Sequence, residues 1–172
     1  HEASRLSDRA RAEQVAYLPQ ERLISWNLPA IEVVALGLPF LKGADASALA
    51  LKAMDEVGVA HLAERGVAEM SGGERAKVLL ARAMVSNVPL LLADEPVAGL
   101  DPDAQLLVME RLKARASKGS GVLVSLHDLS LAAQFADRVV VLDQGRVVAD
   151  GSPLEALSSD VLRQVFQLDG VW

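Results

Sequence analysis

Residues 90–93 are a short apolar run that ends in two adjacent acids, Asp94 and Glu95. A continuous apolar run of this length is typical of a strand buried on both faces of a parallel sheet. The carboxyl ends of such strands are where α/β folds bind ligands. Asp94 is therefore predicted to hold a hard cation such as Mg²⁺, and Glu95 to act as a general base. Solvated charges at an ordinary strand end are the alternative interpretation.

Strand and helix patterns alternate around this run. Strands are predicted over residues 15–18 and, again as a buried strand, over 122–126, and a hairpin over 138–142 and 146–149. The middle of the chain is helix-rich, which predicts a helical subdomain inserted into an α/β core. The predicted helices cover residues 30–38, 46–57, 71 onward, 103–116, 129–136 and 153–166.

The helix that begins at Ser71 opens with Ser71, Gly72, Gly73 and Glu74. Serine followed three residues later by glutamate is a capping box, and this alone would explain both residues. Two consecutive glycines are costly in entropy and are not needed by a cap. Their presence favours a second function, in which backbone N–H groups approach an anion at the helix N-terminus.

Three other polar residues are candidates because of their position. Gln20 follows Pro19 after the first predicted strand, and His127 ends the strand over 122–126. Asp101 precedes Pro102 and is equally well explained as a helix cap. Each has a simpler interpretation: Gln20 as a loop residue and His127 as a partly buried histidine bonded to nearby backbone.

Composition excludes several classes of protein. The 172 residues carry a net charge of −6, which gives no support for nucleic-acid binding. There are no cysteines, so disulfides and cysteine-ligated zinc are excluded. No apolar run reaches the length of a membrane span, and no signal peptide is visible. These features predict a cytoplasmic protein whose contact with a membrane, if any, depends on a partner.

The order and spacing of these motifs closely resemble the ATP-binding subunit of an ABC transporter. The resemblance implies a RecA-like P-loop NTPase core with a mostly parallel sheet and an inserted helical signature subdomain. The resemblance implies that Asp94 binds Mg²⁺, that Glu95 is the catalytic base, and that Gln20 contacts Mg²⁺ and water. It implies that His127 contacts the γ-phosphate of ATP and positions the water with Glu95. Asp101 would cross a dimer interface.

The same resemblance makes residues 71–74 the signature loop, which closes on the γ-phosphate bound by the opposite subunit. Residues 17–20, and residues 149–153 with 162–166, resemble importers of metal chelates such as iron–siderophore, haem or cobalamin systems. The implied partners are a second copy in a homodimer, a membrane permease and, indirectly, a substrate-binding protein. The implied location is the cytoplasmic side of the inner membrane, on the permease.

The phosphate-binding motif Gly-x-x-x-x-Gly-Lys-Ser/Thr is absent from this sequence. We therefore expect an N-terminally truncated core that is inactive alone, with its missing P-loop strand beside those at 90–93 and 122–126. The predicted divisions are a core remnant ending in the Q-loop (1–20), the signature subdomain (21–88), the core with the carboxylates, Asp101 and His127 (89–152) and a C-terminal helix (153–172). Two rivals remain: a non-catalytic interaction module, and an ABC ATPase of DNA repair, whose usual coiled coils or cysteine–zinc insertions are not seen.

Overall fold

The computed structural model describes residues 6–20 and 27–168, and the chain divides into a first unit, His1–Ser125, and a second unit, Leu126–Trp172. The first unit contains strands β1 (Val15–Leu18), β2 (Leu90–Asp94) and β3 (Gly121–Ser125). Its helices are α1 (Asp8–Ala12), α2 (Ala30–Ala35), α3 (Ala44–Glu56), α4 (Gly72–Met84) and α5 (Pro102–Ser117). The second unit contains α6 (Leu129–Phe135), β4 (Val139–Asp143), β5 (Arg146–Gly151), α7 (Pro153–Ala156) and α8 (Ser159–Phe166).

The three strands of the first unit form a parallel sheet in the order β1-β2-β3. Tyr17 pairs with Leu92, and Leu92 pairs with Leu123. The predicted α/β class with a parallel sheet is confirmed. However, β2 is paired on both sides, so the expected position of a further strand beside residues 90–93 is wrong. Another strand could pair with the outer edge of β1 or β3 only.

One face of this sheet is buried and the other is open. Leu91 and Ala93 on β2 are buried, and helices α4 and α5 pack against the neighbouring strands β1 and β3. On the opposite face Tyr17 is 53% exposed and Leu123 is 65% exposed. The prediction that both strands are buried on both faces is therefore wrong for the described residues. An apolar strand sequence indicates that its side chains favour burial, but it does not show that both faces of the sheet are covered.

Helices α2, α3 and α4 pack together around the fully buried side chains of Val34, Met54 and Leu80. Asn27 connects the segment before α2 with the segment before α4, because its Oδ1 accepts a hydrogen bond from the Ala68 N–H at 3.0 Å. Gly66 pairs with Pro29 as an isolated bridge, and a Cβ at Gly66 would lie 2.2 Å from the Asn27 amide oxygen. A larger residue at position 66 would therefore displace the Asn27 amide from its hydrogen bond with Ala68. The boundaries of the proposed helical subdomain stay a prediction.

In the second unit β4 and β5 form the predicted antiparallel hairpin. The single helix predicted over residues 153–166 is wrong, because the chain breaks between α7 and α8. Leu157 has φ −105° and ψ 36°, and Ser158 is extended as the N-cap of α8. The break allows Leu157 and Leu162 to pack together against Val141. Across residues 6–20 and 27–168, no helix combines the length and apolarity needed to cross a membrane.

Candidate functional site

The carboxyl edge of the parallel sheet brings two acids and a serine together. Asp94 and Ser125 are paired residues at the ends of β2 and β3. The Ser125 hydroxyl donates to Asp94 Oδ1 at 2.6 Å and accepts from the Glu95 backbone N–H at 2.8 Å. The Tyr17 hydroxyl lies 3.5 Å from Asp94 Oδ2, which is a much weaker contact. We call Asp94, Glu95, Ser125 and Gln20 the carboxylate edge.

Gln20 reaches this edge from the end of β1. Its Nε2 donates to Glu95 Oε2 at 2.8 Å, which leaves the Gln20 amide oxygen as an acceptor. Glu95 has φ +44°, a left-handed backbone conformation that is uncommon for a residue other than glycine. Such a conformation persists where surrounding contacts hold it, and it occurs often at functional sites. The structure therefore brings together three of the residues singled out from sequence: Gln20, Asp94 and Glu95.

The residues of the carboxylate edge fit a magnesium ion that also binds a nucleotide. The described residues contain no group of three or more His, Asp or Glu side chains able to hold a metal by themselves. Mg²⁺ is usually held by one or two carboxylates together with substrate phosphates and water. Asp94 supplies one carboxylate of such an incomplete donor set, and Gln20, which bonds the adjacent Glu95, carries an amide oxygen as a second candidate ligand. Since Oδ1 of Asp94 is occupied by Ser125, its Oδ2 is the oxygen better placed for a cation.

Residues 71–74 form the capping box predicted for them. The Glu74 N–H donates to Ser71 Oγ at 3.2 Å, and the Ser71 N–H donates to Glu74 Oε2 at 2.8 Å. Hydrogen bonding to Ser71, through its backbone first and its side chain second, lowers the pKa of Glu74, and Arg65 at 3.7 Å contributes in the same direction. Ser71 and Glu74 therefore have a structural reason to be present.

Among the described residues, nothing gives Gly72 and Gly73 such a reason. A Cβ added at either position would meet no atom within 4 Å, and neither residue has a positive φ. Both lie in the first turn of α4, where backbone N–H groups are not used within the helix. The two glycines thus keep the helix N-terminus open to an approaching group, which is the geometry of an anion site.

Arg75 fixes the turn that leads into α4, and sequence reasoning missed it. Its Nε donates to the Val67 carbonyl at 3.2 Å, and its Nη2 donates to the Met70 carbonyl at 3.3 Å. These two bonds hold the backbone immediately before Ser71. No spacing rule pointed to Arg75, because its acceptors are main-chain atoms.

Asp101 is the N-cap of α5, as the simpler interpretation proposed. Its Oδ1 accepts from the Ala104 N–H at 2.9 Å. Gln105 Nε2 donates to the Leu100 carbonyl at 3.1 Å, so the turn before the helix is held from both sides. Gly99 in this turn has φ +67°, a conformation that favours glycine. A role for Asp101 at a dimer interface stays a prediction.

His127 belongs to the second unit, where its side chain is exposed rather than partly buried. The next residue, Asp128, caps α6, because its Oδ1 accepts from the N–H groups of Ser130 at 2.8 Å and Leu131 at 3.0 Å. His127 is therefore placed at a fixed point, directly before a capped helix. Its proposed contact with phosphate stays a prediction.

Comparison with known proteins gives consistent matches. The family model described as ABC transporter matches residues 1–98. The hemin import ATP-binding protein HmuV of Nocardia farcinica is 44% identical over 160 residues, covering 91% of this chain. The alignment spans 56% of that relative, so the chain covers a little more than half of its length.

Two solved structures share the fold. One, described as a metal-chelate type ABC transporter in an inward-facing conformation, matches with a TM-score of 0.82 and 26% identity over 91% of this chain and 64% of that chain. A dimeric ATP-binding cassette in a post-hydrolysis state, bound to ADP and Pi, matches with a TM-score of 0.77 and 28% identity over 87% of this chain and 68% of that chain. The chain therefore belongs to the ABC transporter family, among its ATP-binding subunits.

Proposed function

We propose that the protein hydrolyses ATP with Mg²⁺ as cofactor and thereby energises the import of a metal chelate of the haem type. The observation that carries this proposal is the carboxylate edge, where Gln20 Nε2 lies 2.8 Å from Glu95 Oε2 and Asp94 ends the adjoining strand. The name of the hemin import relative and the description of the metal-chelate type structure support this choice of cargo.

Three residues of the edge, together with His127, have separate tasks in this proposal. Asp94 would hold Mg²⁺ through Oδ2 or through a water, and the ion would supply charge neutralisation at the phosphates. Glu95 accepts a proton from the attacking water as general base. Its present hydrogen bond from Gln20 would be exchanged for one from that water, while the Gln20 amide oxygen turns to the ion. His127 contacts the γ-phosphate.

The proposed partner in hydrolysis is a second copy of the protein. The open N-terminus of α4, with Gly72 and Gly73, offers N–H groups to a γ-phosphate held by the other copy. Asp101 would cross the same interface. The dimeric form of one matched structure supports this arrangement. Closure of the dimer would drive a conformational change in a membrane permease, and a substrate-binding protein would deliver the cargo to that permease. In this proposal the protein lies on the cytoplasmic face of the membrane, bound to the permease.

Glu95→Gln in the complete natural protein tests the role of the general base. The amide keeps the size and hydrogen bonding of the side chain but cannot accept the proton, so we expect phosphate release to fall by about 100-fold or more while ATP binding persists. The control is Glu110→Gln, the same change at an exposed position of α5. Equal turnover in Glu95→Gln and Glu110→Gln would refute the proposed function.

Ser71→Arg tests the signature loop in the same preparation. Bulk and charge at the open helix N-terminus should block closure of the dimer and remove turnover. Ser117→Arg, at the exposed end of α5, is the matched control. Turnover that survives Ser71→Arg would exclude residues 71–74 from the phosphate site.

The 172-residue chain alone is expected to release phosphate at a negligible rate. Phosphoryl transfer depends on positioning and charge stabilisation of the phosphates, and this sequence contains no Gly-x-x-x-x-Gly-Lys-Ser/Thr motif to supply them. A robust rate that Glu95→Gln abolishes would show that another part of the chain holds the nucleotide.

A further inference from the structure

The Ser125 hydroxyl occupies a central position at the carboxylate edge. A serine hydroxyl has one proton to donate and lone pairs with which to accept. At Ser125 the proton goes to Asp94 Oδ1, 2.6 Å away, and a lone pair accepts the Glu95 N–H, 2.8 Å away. One side chain on β3 therefore binds both Asp94, the last residue of β2, and Glu95, which follows it.

These two bonds have different consequences. The bond to Asp94 is short and involves a charged acceptor, which makes it one of the stronger types of hydrogen bond. It fixes the rotation of the carboxylate and directs Oδ2 away from Ser125. The bond from Glu95 holds its backbone where φ is +44°, and this conformation determines the direction in which the Glu95 side chain leaves the strand.

A purely structural role does not account for this hydroxyl. The backbone pairing of β2 with β3 already sets the register that brings Asp94 opposite Ser125. Ser125 is also exposed, so its side chain contributes little to packing. What the hydroxyl adds is the orientation of two carboxylate-bearing residues.

We propose that Ser125 is a positioning residue, which orients Asp94 toward Mg²⁺ and Glu95 toward the attacking water. This inference rests on the proposed function and adds to it a residue from a different strand. Groups that hydrogen-bond a metal ligand typically change metal affinity or activity by about 10- to 100-fold when removed. A change of that size is expected at Ser125.

The test compares Ser125→Thr with Ser125→Val in the complete natural protein. Threonine and valine have nearly the same shape, but only threonine keeps the hydroxyl. The first measurement is the affinity for Mn²⁺ in the presence of ATP, by electron paramagnetic resonance, in a Glu95→Gln background that prevents turnover. The second is kcat and KM for ATP with Glu95 intact. Ser117→Ala, which removes an exposed hydroxyl from α5, is the control.

We expect Ser125→Val to lose about 10- to 100-fold in Mn²⁺ affinity and in kcat, with KM for ATP changed much less, and Ser125→Thr to restore both. Ser125→Ala gives the same comparison with serine if the valine variant does not fold. Equal values for the threonine and valine variants would overturn the proposal, because the hydroxyl would then not matter.

The outcomes also separate this inference from the function on which it rests. If Glu95→Gln abolishes turnover while Ser125→Val does not change it, the role of Ser125 is refuted and the ATPase proposal stands. If the wild-type protein does not hydrolyse ATP, the proposed function fails, and the Mn²⁺ affinities alone decide whether Ser125 orients Asp94.

Discussion

Arg115 is the one buried charged residue among the described residues, and its removal should destabilise the first unit strongly. It lies in the last turn of α5 and is 6% exposed. Its guanidinium donates to Ser120 Oγ at 2.9 Å, to the Met84 carbonyl at 3.1 Å and to the Val88 carbonyl at 2.8 Å. Met84 ends α4, Val88 shortly precedes β2 and Ser120 directly precedes β3, so Arg115 ties the approaches to both strands to α5.

The expected size of the effect follows from these contacts. A hydrogen bond from a charged group contributes about 1.5–3 kcal/mol, and three would be lost in Arg115→Met. Burial also opposes the charge and lowers the pKa of the Arg115 guanidinium. Taking a charge out of water costs several kcal/mol, and methionine does not incur that cost. The two opposing effects leave a net loss of about 3 kcal/mol. The Met84 carbonyl loses the Arg115 donor, and the Val88 carbonyl keeps only the longer bond from the Ser120 hydroxyl at 3.3 Å.

Equilibrium unfolding in urea, followed by circular dichroism, measures this loss in the complete natural protein. Arg146→Met is the matched control, since the same atoms are removed at an exposed position of the hairpin and the change should stay within about 0.5 kcal/mol. Arg115→Lys keeps the charge but cannot reach the three acceptors together, so it should recover only part of the stability. If Arg115→Met were as stable as Arg146→Met, the assigned role of these hydrogen bonds would be refuted.

Three other outcomes are expected. The pKa of Glu74 is lowered from its ordinary value of 4.5 in the folded protein, so ionised Glu74 stabilises the fold at pH values above 4.5. Glu74→Gln should therefore be less stable than the wild type at neutral pH. This difference, measured by thermal unfolding, should shrink as the pH falls through the pKa of Glu74 in the folded protein. Asp101→Ala should lower the free energy of unfolding by about 1 kcal/mol, because the cap of α5 is lost. Asp103→Ala, at an exposed position two residues further on, should lower it less, and the midpoints of urea unfolding measure both changes. The isolated 172-residue chain should self-associate through the open sheet face and the edge of β3. Light scattering at micromolar concentration measures this association, and Leu123→Lys should reduce it. A monodisperse wild-type chain would contradict the prediction.

Local patterns predicted the elements of the fold well. The apolar run before Asp94 became β2, the capping box at Ser71 began α4, and the pattern around 143–145 became a hairpin turn. Each of these depends on neighbours along the chain. The break between α7 and α8 was not predicted, because it depends on Leu157 packing against Val141 from another element.

The candidate site was predicted only in part, for the same reason. Asp94 and Glu95 were found because they are adjacent in sequence. Ser125 was not found, because its contact with Asp94 depends on the register of two parallel strands that are far apart in the chain. A single polar residue at the end of an apolar strand gives no signal until the neighbouring strand is known.

Glycine shows this limit most clearly, since the sequence cannot tell why it is present. At Gly66 the reason is internal, because the Asn27 amide occupies the space that a Cβ would need. At Gly72 and Gly73 a Cβ would meet none of the residues that the structure describes, and neither position has a left-handed backbone. Glycine is nevertheless unfavourable in a helix by about 1 kcal/mol relative to alanine. Since the packing of the described residues gives no compensation for that cost, the two glycines favour a role in which another group approaches the N-terminus of α4.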